Sequence, residues 1–138
     1  MADGANWCLI DSDPGVFTDL LREFGVTGLG VEEFYSLDEA ELTSKSPVHG
    51  LIFLYKWRPG DEPCGTLQRD KDKVYFAQQV IDNACATQAI INTLFNLDLT
   101  KPEMDGIALG GVLDDFRSLT QNFDPIVSIL YQFKPHIF

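Results

Sequence analysis

Apolar residues at Val16, Phe17, Leu20, Leu21 and Phe24 stand at i, i+1, i+4, i+5 and i+8, the stripe one face of a helix presents. Ser12 or Asp13 supplies its N-cap, and Pro14 suits the first helical position because it lacks only a donor that has no partner there. Gly25 offers the left-handed stop. Ahead of this helix, Trp7 to Ile10 is a short apolar run that reads as a first strand or an extended lead-in. Beyond it, Val31 to Tyr35 alternates as a strand does. Ser36-Leu37-Asp38-Glu39 has the form of a capping box and predicts a short helix through Leu42, followed by a turn over Thr43 to Pro47. Val48 to Trp57 is the strongest strand signal, apolar on both faces, and predicts a central strand covered on both sides.

Arg58 to Lys73 is polar and predicts a long loop. Val74 to Asn83 is apolar and β-branched, an extended connector. From Ala84 to Leu97 the chain is apolar almost all round, which marks a helix buried in a core. Asn96 to Lys101 closes it, and Pro102 to Gly111 predicts a loop or a poorly formed helix. Val112, Leu113, Phe116, Leu119 and Phe123 then space as one helix face, with Asp114, Asp115 and Arg117 outward. Pro125 to Phe133 is an uncharged, β-prone apolar run, prone to aggregate unless it packs against something.

Composition narrows the class. A chain of 138 residues with 45% apolar and 12% aromatic content is one globular domain at most. A formal charge of −11 argues against nucleic acid and against an anionic membrane surface. It suits a basic partner, and equally a surface that is only soluble. Cys8, Cys64 and Cys85 form no CxxC pair, which fits a reducing compartment and speaks against a zinc ribbon or a disulfide framework. The first residues have neither the basic start nor the apolar run of a signal peptide, and no stretch has the length of a membrane-spanning helix. Gly28 and Gly30 have the look of a nucleotide-binding loop, but they follow a helix rather than a strand and open no helix.

The chemistry concentrates at Asn83-Ala84-Cys85-Ala86-Thr87-Gln88. With Asp82 or Asn83 as N-cap, Cys85 sits in the first turn of the buried helix, where the dipole and unpaired N–H groups favour a thiolate. Gln79 lies six positions earlier (85 − 79 = 6). Its amide could donate to an oxyanion formed by attack of Cys85 on a carbonyl, with the Cys85 N–H as second donor. Ala84, Ala86 and Ala89 leave room for another chain to approach. The plain alternative is that Cys85 is a small core residue.

The stretch from Phe76 to Ala89, which contains Gln79 and Cys85, resembles the active-site signature of the ubiquitin C-terminal hydrolases, peptidase family C12. Trp7 to Thr18 and Pro47 to Trp57 are similar to the proteasome-associated, long-tailed branch of that family. The resemblance spans about Trp7 to Asp124, so residues 7–124 look like the N-terminal part of a catalytic domain and 125–138 like a divergent tail.

The resemblance implies an α+β, papain-like cysteine peptidase fold in which the central helix carries the nucleophile and packs on an antiparallel sheet. It implies a thiol-dependent deubiquitinase acting at the C-terminal glycine of ubiquitin, with Cys85 as nucleophile, Gln79 as oxyanion donor, and no metal or organic cofactor. It implies ubiquitin or its conjugates as partner, the proteasome regulatory particle as partner of the full-length branch, and a cytoplasmic and nuclear location. The family's general-base histidine and orienting aspartate correspond to nothing here. His49 and His136 are the only histidines, and neither stands in the family's histidine context. The chain thus looks like half a catalytic domain, weakly active or inactive. The other readings are a non-catalytic ubiquitin-binding remnant and an unstable truncated product.

Overall fold

A computed structural model describes residues 10–56, 74–77 and 83–120. Helix α1 spans Pro14–Glu23, α2 Glu39–Ser44, α3 Cys85–Phe95 and α4 Gly111–Thr120, with a 3-10 turn at Pro102–Met104.

The start of α1 follows from local chemistry. The Asp13 carboxylate accepts from the N–H groups of Gly15 at 2.7 Å and Val16 at 3.2 Å, which satisfies two donors the helix leaves open. Its end is a Schellman motif. Gly25 adopts φ 87°, its N–H donates to Arg22 O, and the Val26 N–H donates to Leu21 O. Val26 and Leu21 then enter the same apolar cluster, so the cap and the packing reinforce each other.

Helix α3 is the axis of that cluster. Ile90, Ile91, Leu94 and Phe95 bury themselves with Phe17 and Leu21 of α1 and Leu113 of α4. The chain after α1 meets the chain before α4 at an antiparallel bridge, where Thr27 and Ala108 exchange both backbone hydrogen bonds. Two backbones approach closely there. A Cβ on Gly28, whose φ is 78°, would strike the Gly106 carbonyl. The approach of backbone to backbone, not a bound phosphate, requires this glycine. Gly28→Ala should lower stability by more than 1 kcal/mol, since the left-handed conformation alone costs a side chain about 1–2 kcal/mol. Gly30→Ala is the control, because no atom lies within 4 Å of its Cβ position. Urea midpoints of the two variants decide this.

Helix α2 corrects one expectation. Its N-cap is Asp38, not Ser36, and the helix runs to Ser44 rather than Leu42. Asp38 accepts from the Glu41 N–H, while the Ser36 hydroxyl donates to the other Asp38 oxygen. Glu41 reaches back to accept from the Tyr35 N–H. The carboxylate caps better because it carries full charge at the positive end of the helix. The Glu41 N–H, then the Ser36 hydroxyl, hold the Asp38 carboxyl below its ordinary value. Its stabilisation of α2 is therefore present above the ordinary carboxylate pKa and lost as pH falls through the lowered folded value. Amide shifts of Glu41 followed by NMR should move only in that acid range, and Asp38→Asn should flatten the transition.

The expected antiparallel sheet is not formed among the described residues, which hold only the Thr27–Ala108 bridge. Val31 to Tyr35 is irregular rather than a strand; the Val31 N–H is taken by the Thr18 hydroxyl at 2.9 Å. Among the described residues, 48–56 carry no ladder and are covered on one side only. Gly50 comes so close to Thr93 of α3 that a Cβ would lie 2.5 Å from its methyl. Ile52 packs on the core, whereas Phe53 and Tyr55 are 74% and 76% exposed. The two-sided apolarity of this segment calls for two covering layers, and the described residues supply one.

Helix α4 is turned from the expected face. Leu113, Phe116 and Thr120 face inward, while Val112 and Leu119 are exposed. Arg117 is half-buried rather than outward, because its guanidinium donates to Leu97 O at 3.2 Å. The expectations on Trp7–Leu9, Trp57–Lys73, Gln79, Asp82, Phe123, Pro125–Phe133 and His136 lie outside the described residues.

Candidate active site

Helix α3 begins at Cys85, and its thiol is exposed. The expected N-cap at Asn83 is corrected, while Asp82 lies outside the described residues. The N-cap is Ala84, whose methyl side chain makes no capping hydrogen bond. Asn83 instead makes the turn, with φ 66°, in the left-handed region that asparagine tolerates better than most residues. The chain thus bends into the helix one residue ahead of an alanine whose side chain cannot accept a hydrogen bond, although its carbonyl accepts from the Gln88 N–H at 2.9 Å. Ala84 thus offers the first-turn N–H groups no side-chain acceptor of its own, and the helix dipole places its positive end at Cys85. Cys85 sits at this end while Thr87, Gln88, Ile90 and Ile91 behind it are buried, so a rigid core holds an accessible sulfur.

One face of α3 is polar in a way the sequence reading passed over. Gln88, Asn92 and Asn96 lie four residues apart and line the chain at 74–77. The Asn92 amide takes both backbone groups of Ala77, accepting from its N–H at 2.9 Å and donating to its O at 3.1 Å. Gln88, itself buried, donates to the same oxygen at 2.8 Å. The Asn96 amide does likewise for Tyr75, with both bonds at 2.8 Å. The signal was available: three amides at a period of four on an otherwise apolar helix have no reason to be there unless they meet polar partners.

Ala77 stands two residues before Gln79 (79 − 77 = 2). Gln79 lies outside the described residues, so its distance from Cys85 is not given by the geometry. His49 is half-buried on the extended 48–56 segment. It lines a cavity of about 910 Å³ whose floor is Phe17, Leu21, Ile90 and Leu94, and Cys85 is not among the lining residues. Among the described residues no three His, Cys, Asp or Glu side chains are grouped to hold a metal, and no helix is long and apolar enough to cross a membrane. What the arrangement can do is present the Cys85 thiol, at the start of a helix buried behind it, beside a chain segment clamped to that same helix.

Comparison with known proteins places this geometry. The sequence profile described as "Ubiquitin carboxyl-terminal hydrolase, family 1" matches residues 7–131. Ubiquitin carboxyl-terminal hydrolase ubh-4 of Caenorhabditis elegans is 50% identical over 125 residues, covering 91% of this chain and 37% of that protein. Ubiquitin carboxyl-terminal hydrolase isozyme L5 of Dictyostelium discoideum is 44% identical over 127 residues, covering 92% and 34%. The chain thus spans little more than a third of the length of these relatives. The crystal structure of the Trichinella spiralis UCH37 catalytic domain bound to ubiquitin vinyl methyl ester superposes with a TM-score of 0.82 at 41% identity, covering 96% of this chain and 59% of that one. The fold is therefore the papain-like fold of that catalytic domain, represented over 59% of its length.

Proposed function

Because this chain belongs to the ubiquitin carboxyl-terminal hydrolases, family 1, we propose that it carries the nucleophilic half of a thiol-dependent deubiquitinase. The observation that supports this best is the exposed Cys85 opening a buried helix, in a chain 41% identical to a catalytic domain solved with ubiquitin vinyl methyl ester. The Cys85 thiolate attacks the carbonyl of ubiquitin's C-terminal glycine. Negative charge collects on the carbonyl oxygen, where the Gln79 amide and the Cys85 N–H receive it. The tetrahedral intermediate collapses with loss of the amine, and water hydrolyses the thioester. A histidine that takes the thiol proton and an aspartate that orients it would come from residues beyond these 138. Neither His49 nor His136 is assigned that role. Residues 7–124 make up the catalytic part and 125–138 a separate tail. Ubiquitin is the partner, and the charge of −11 complements a basic surface. Association with the proteasome regulatory particle and a cytoplasmic and nuclear location complete the reading.

Ubiquitin carrying a fluorogenic C-terminal amide tests it. The 138-residue chain should release the fluorophore slowly, at a rate about a thousandfold or more below that of a full-length relative, since a triad without its base keeps only part of its power. Release equal to that of a full-length relative would contradict the missing base. Release identical in Cys85→Ala would contradict the nucleophile. Ubiquitin binding without Cys85-dependent release would favour a non-catalytic binding module.

A further inference from the structure

The polar face of α3 matches a strand. Residues four apart on a helix stand about 6 Å apart along its axis. Residues two apart on an extended chain stand about 6.6 Å apart. Asn92 of α3 and the helix's C-cap Asn96 are four apart, and Ala77 and Tyr75 are two apart on the segment they hold. The two repeats nearly coincide, so consecutive side-chain amides of the helix pair consecutive outward-facing backbone units of the segment. Each amide offers one donor and one acceptor, as a peptide group of a neighbouring strand would. The segment runs against the helix, 77 lying toward its start and 75 toward its end. Gln88 adds a donor at the Ala77 oxygen, one turn nearer Cys85. The Asn96 amide is itself braced by donation to Asn92 O at 2.6 Å. The Tyr75 ring meets Phe95 edge to face at 4.8 Å between centroids, which ties the same segment to the core.

We propose that Asn92 and Asn96, with Gln88, act as a surrogate β-strand that positions the chain entering the catalytic turn. They are positioning residues for the attack of Cys85. Both ends of that turn are attached to one helix: Ala77 through Asn92 and Gln88, and residues 83–85 through the start of α3 itself. The catalytic consequence rests on the reading above, in which Gln79 serves as oxyanion donor. A side-chain clamp fixes register more tightly than apolar contact, because each amide fits one backbone unit in one orientation.

Two measurements on the same variants separate the parts of this proposal. In the first, hydrogen exchange at the Tyr75 and Ala77 amides should be slow in the wild type. Ala77 exchange should accelerate at least about tenfold in Asn92→Ala, and Tyr75 exchange likewise in Asn96→Ala, since each loses the acceptor of a hydrogen bond. Unchanged exchange in both overturns the surrogate strand. In the second, Cys85 is labelled by ubiquitin bearing a C-terminal vinyl methyl ester, and separately by iodoacetamide. The sulfur adds to the vinyl β-carbon, the double-bond electrons move onto the ester oxygen, and solvent protonates the enolate. The maximal rate with the ubiquitin probe should fall about tenfold in Asn96→Ala, while its half-saturating concentration and the iodoacetamide rate hold; losing an oxyanion donor outright costs more, about a hundredfold or beyond. Asn96 is exposed, so this variant keeps a folded protein if Asn92→Ala does not. Asn96→Asp, which keeps the acceptor and loses the donor, should fall between. Faster Tyr75 exchange with an unchanged ubiquitin-probe rate overturns the positioning role. A wild type that never labels at Cys85 overturns the functional reading and the positioning role with it, and the exchange data then still decide the clamp.

Discussion

Phe95→Ala lowers the stability of this domain by about 3–5 kcal/mol, the range for removing a buried aromatic ring from a packed core. Phe95 is 2% exposed and stands where the elements converge. Its ring meets Tyr75 edge to face at 4.8 Å and Phe116 of α4 at 5.7 Å. Removal loses the transfer free energy of the ring and leaves a cavity that the surrounding helices cannot close without breaking other contacts. It also removes the ring pairing, which contributes beyond area alone. Leu119→Ala is the matched control. The apolar periodicity of α4 puts Leu119 on the inner face, but it is 62% exposed, so its loss should change stability by less than about 0.5 kcal/mol. Urea unfolding of the two variants reads both claims. A Phe95→Ala loss below 1 kcal/mol would contradict the core described here, and a large loss in Leu119→Ala would contradict the orientation of α4.

Cys85→Ala abolishes all Cys85-dependent turnover and leaves the fold intact. The two halves of this expectation have separate causes. The thiol is exposed, so its removal opens no cavity. Cys85 occupies the first position of an eleven-residue helix, where alanine is a good helix former, and stability should change by less than about 0.5 kcal/mol. Chemically, no neighbouring hydroxyl or thiol on the described first turn can replace the lost nucleophile, because Ala84 and Ala86 flank it and Thr87 is buried. Ubiquitin binding measured by titration should survive the substitution while hydrolysis does not. A variant that loses binding together with activity would mean that Cys85 holds structure rather than chemistry.

The parts of the fold legible in the sequence are those whose causes are local. Asp13, Pro14 and Gly25 bracket α1 because each satisfies or tolerates something within one turn of itself. The all-round apolarity from Ala84 to Leu97 marks α3 as buried for the same reason: it needs no knowledge of what does the burying. Errors arise where a partner far along the chain decides. The apolar stripe of α4 includes Val112 and Leu119, yet Leu97 O takes the Arg117 guanidinium and turns the helix toward Leu113 and Thr120. The segment over residues 48–56 has strand composition but no ladder among the described residues, since composition states what a chain can pair with and not whether the pair is present. Cap choice at α2 failed by two residues because Ser36 and Asp38 both fit, and charge chose between them.

The candidate site divides in the same way. Cys85 at the head of a buried helix was readable from the residues around it, whereas Gln79 rests on the resemblance to a known signature and lies outside the described residues. The amides of Gln88, Asn92 and Asn96 carry no expectation in the sequence, although their period of four is regular. Their meaning depends on a segment 11 to 21 residues earlier, which no local window contains.

The most direct test of the central claim is covalent capture. Purified chain is mixed with ubiquitin bearing a C-terminal vinyl methyl ester, and adducts are read by intact mass beside Cys85→Ala. A single ubiquitin adduct in the wild type, mapped to Cys85 and lost in the variant, is the predicted result. No adduct, or equal labelling of both proteins through Cys8 or Cys64, would contradict the assignment of Cys85 as nucleophile.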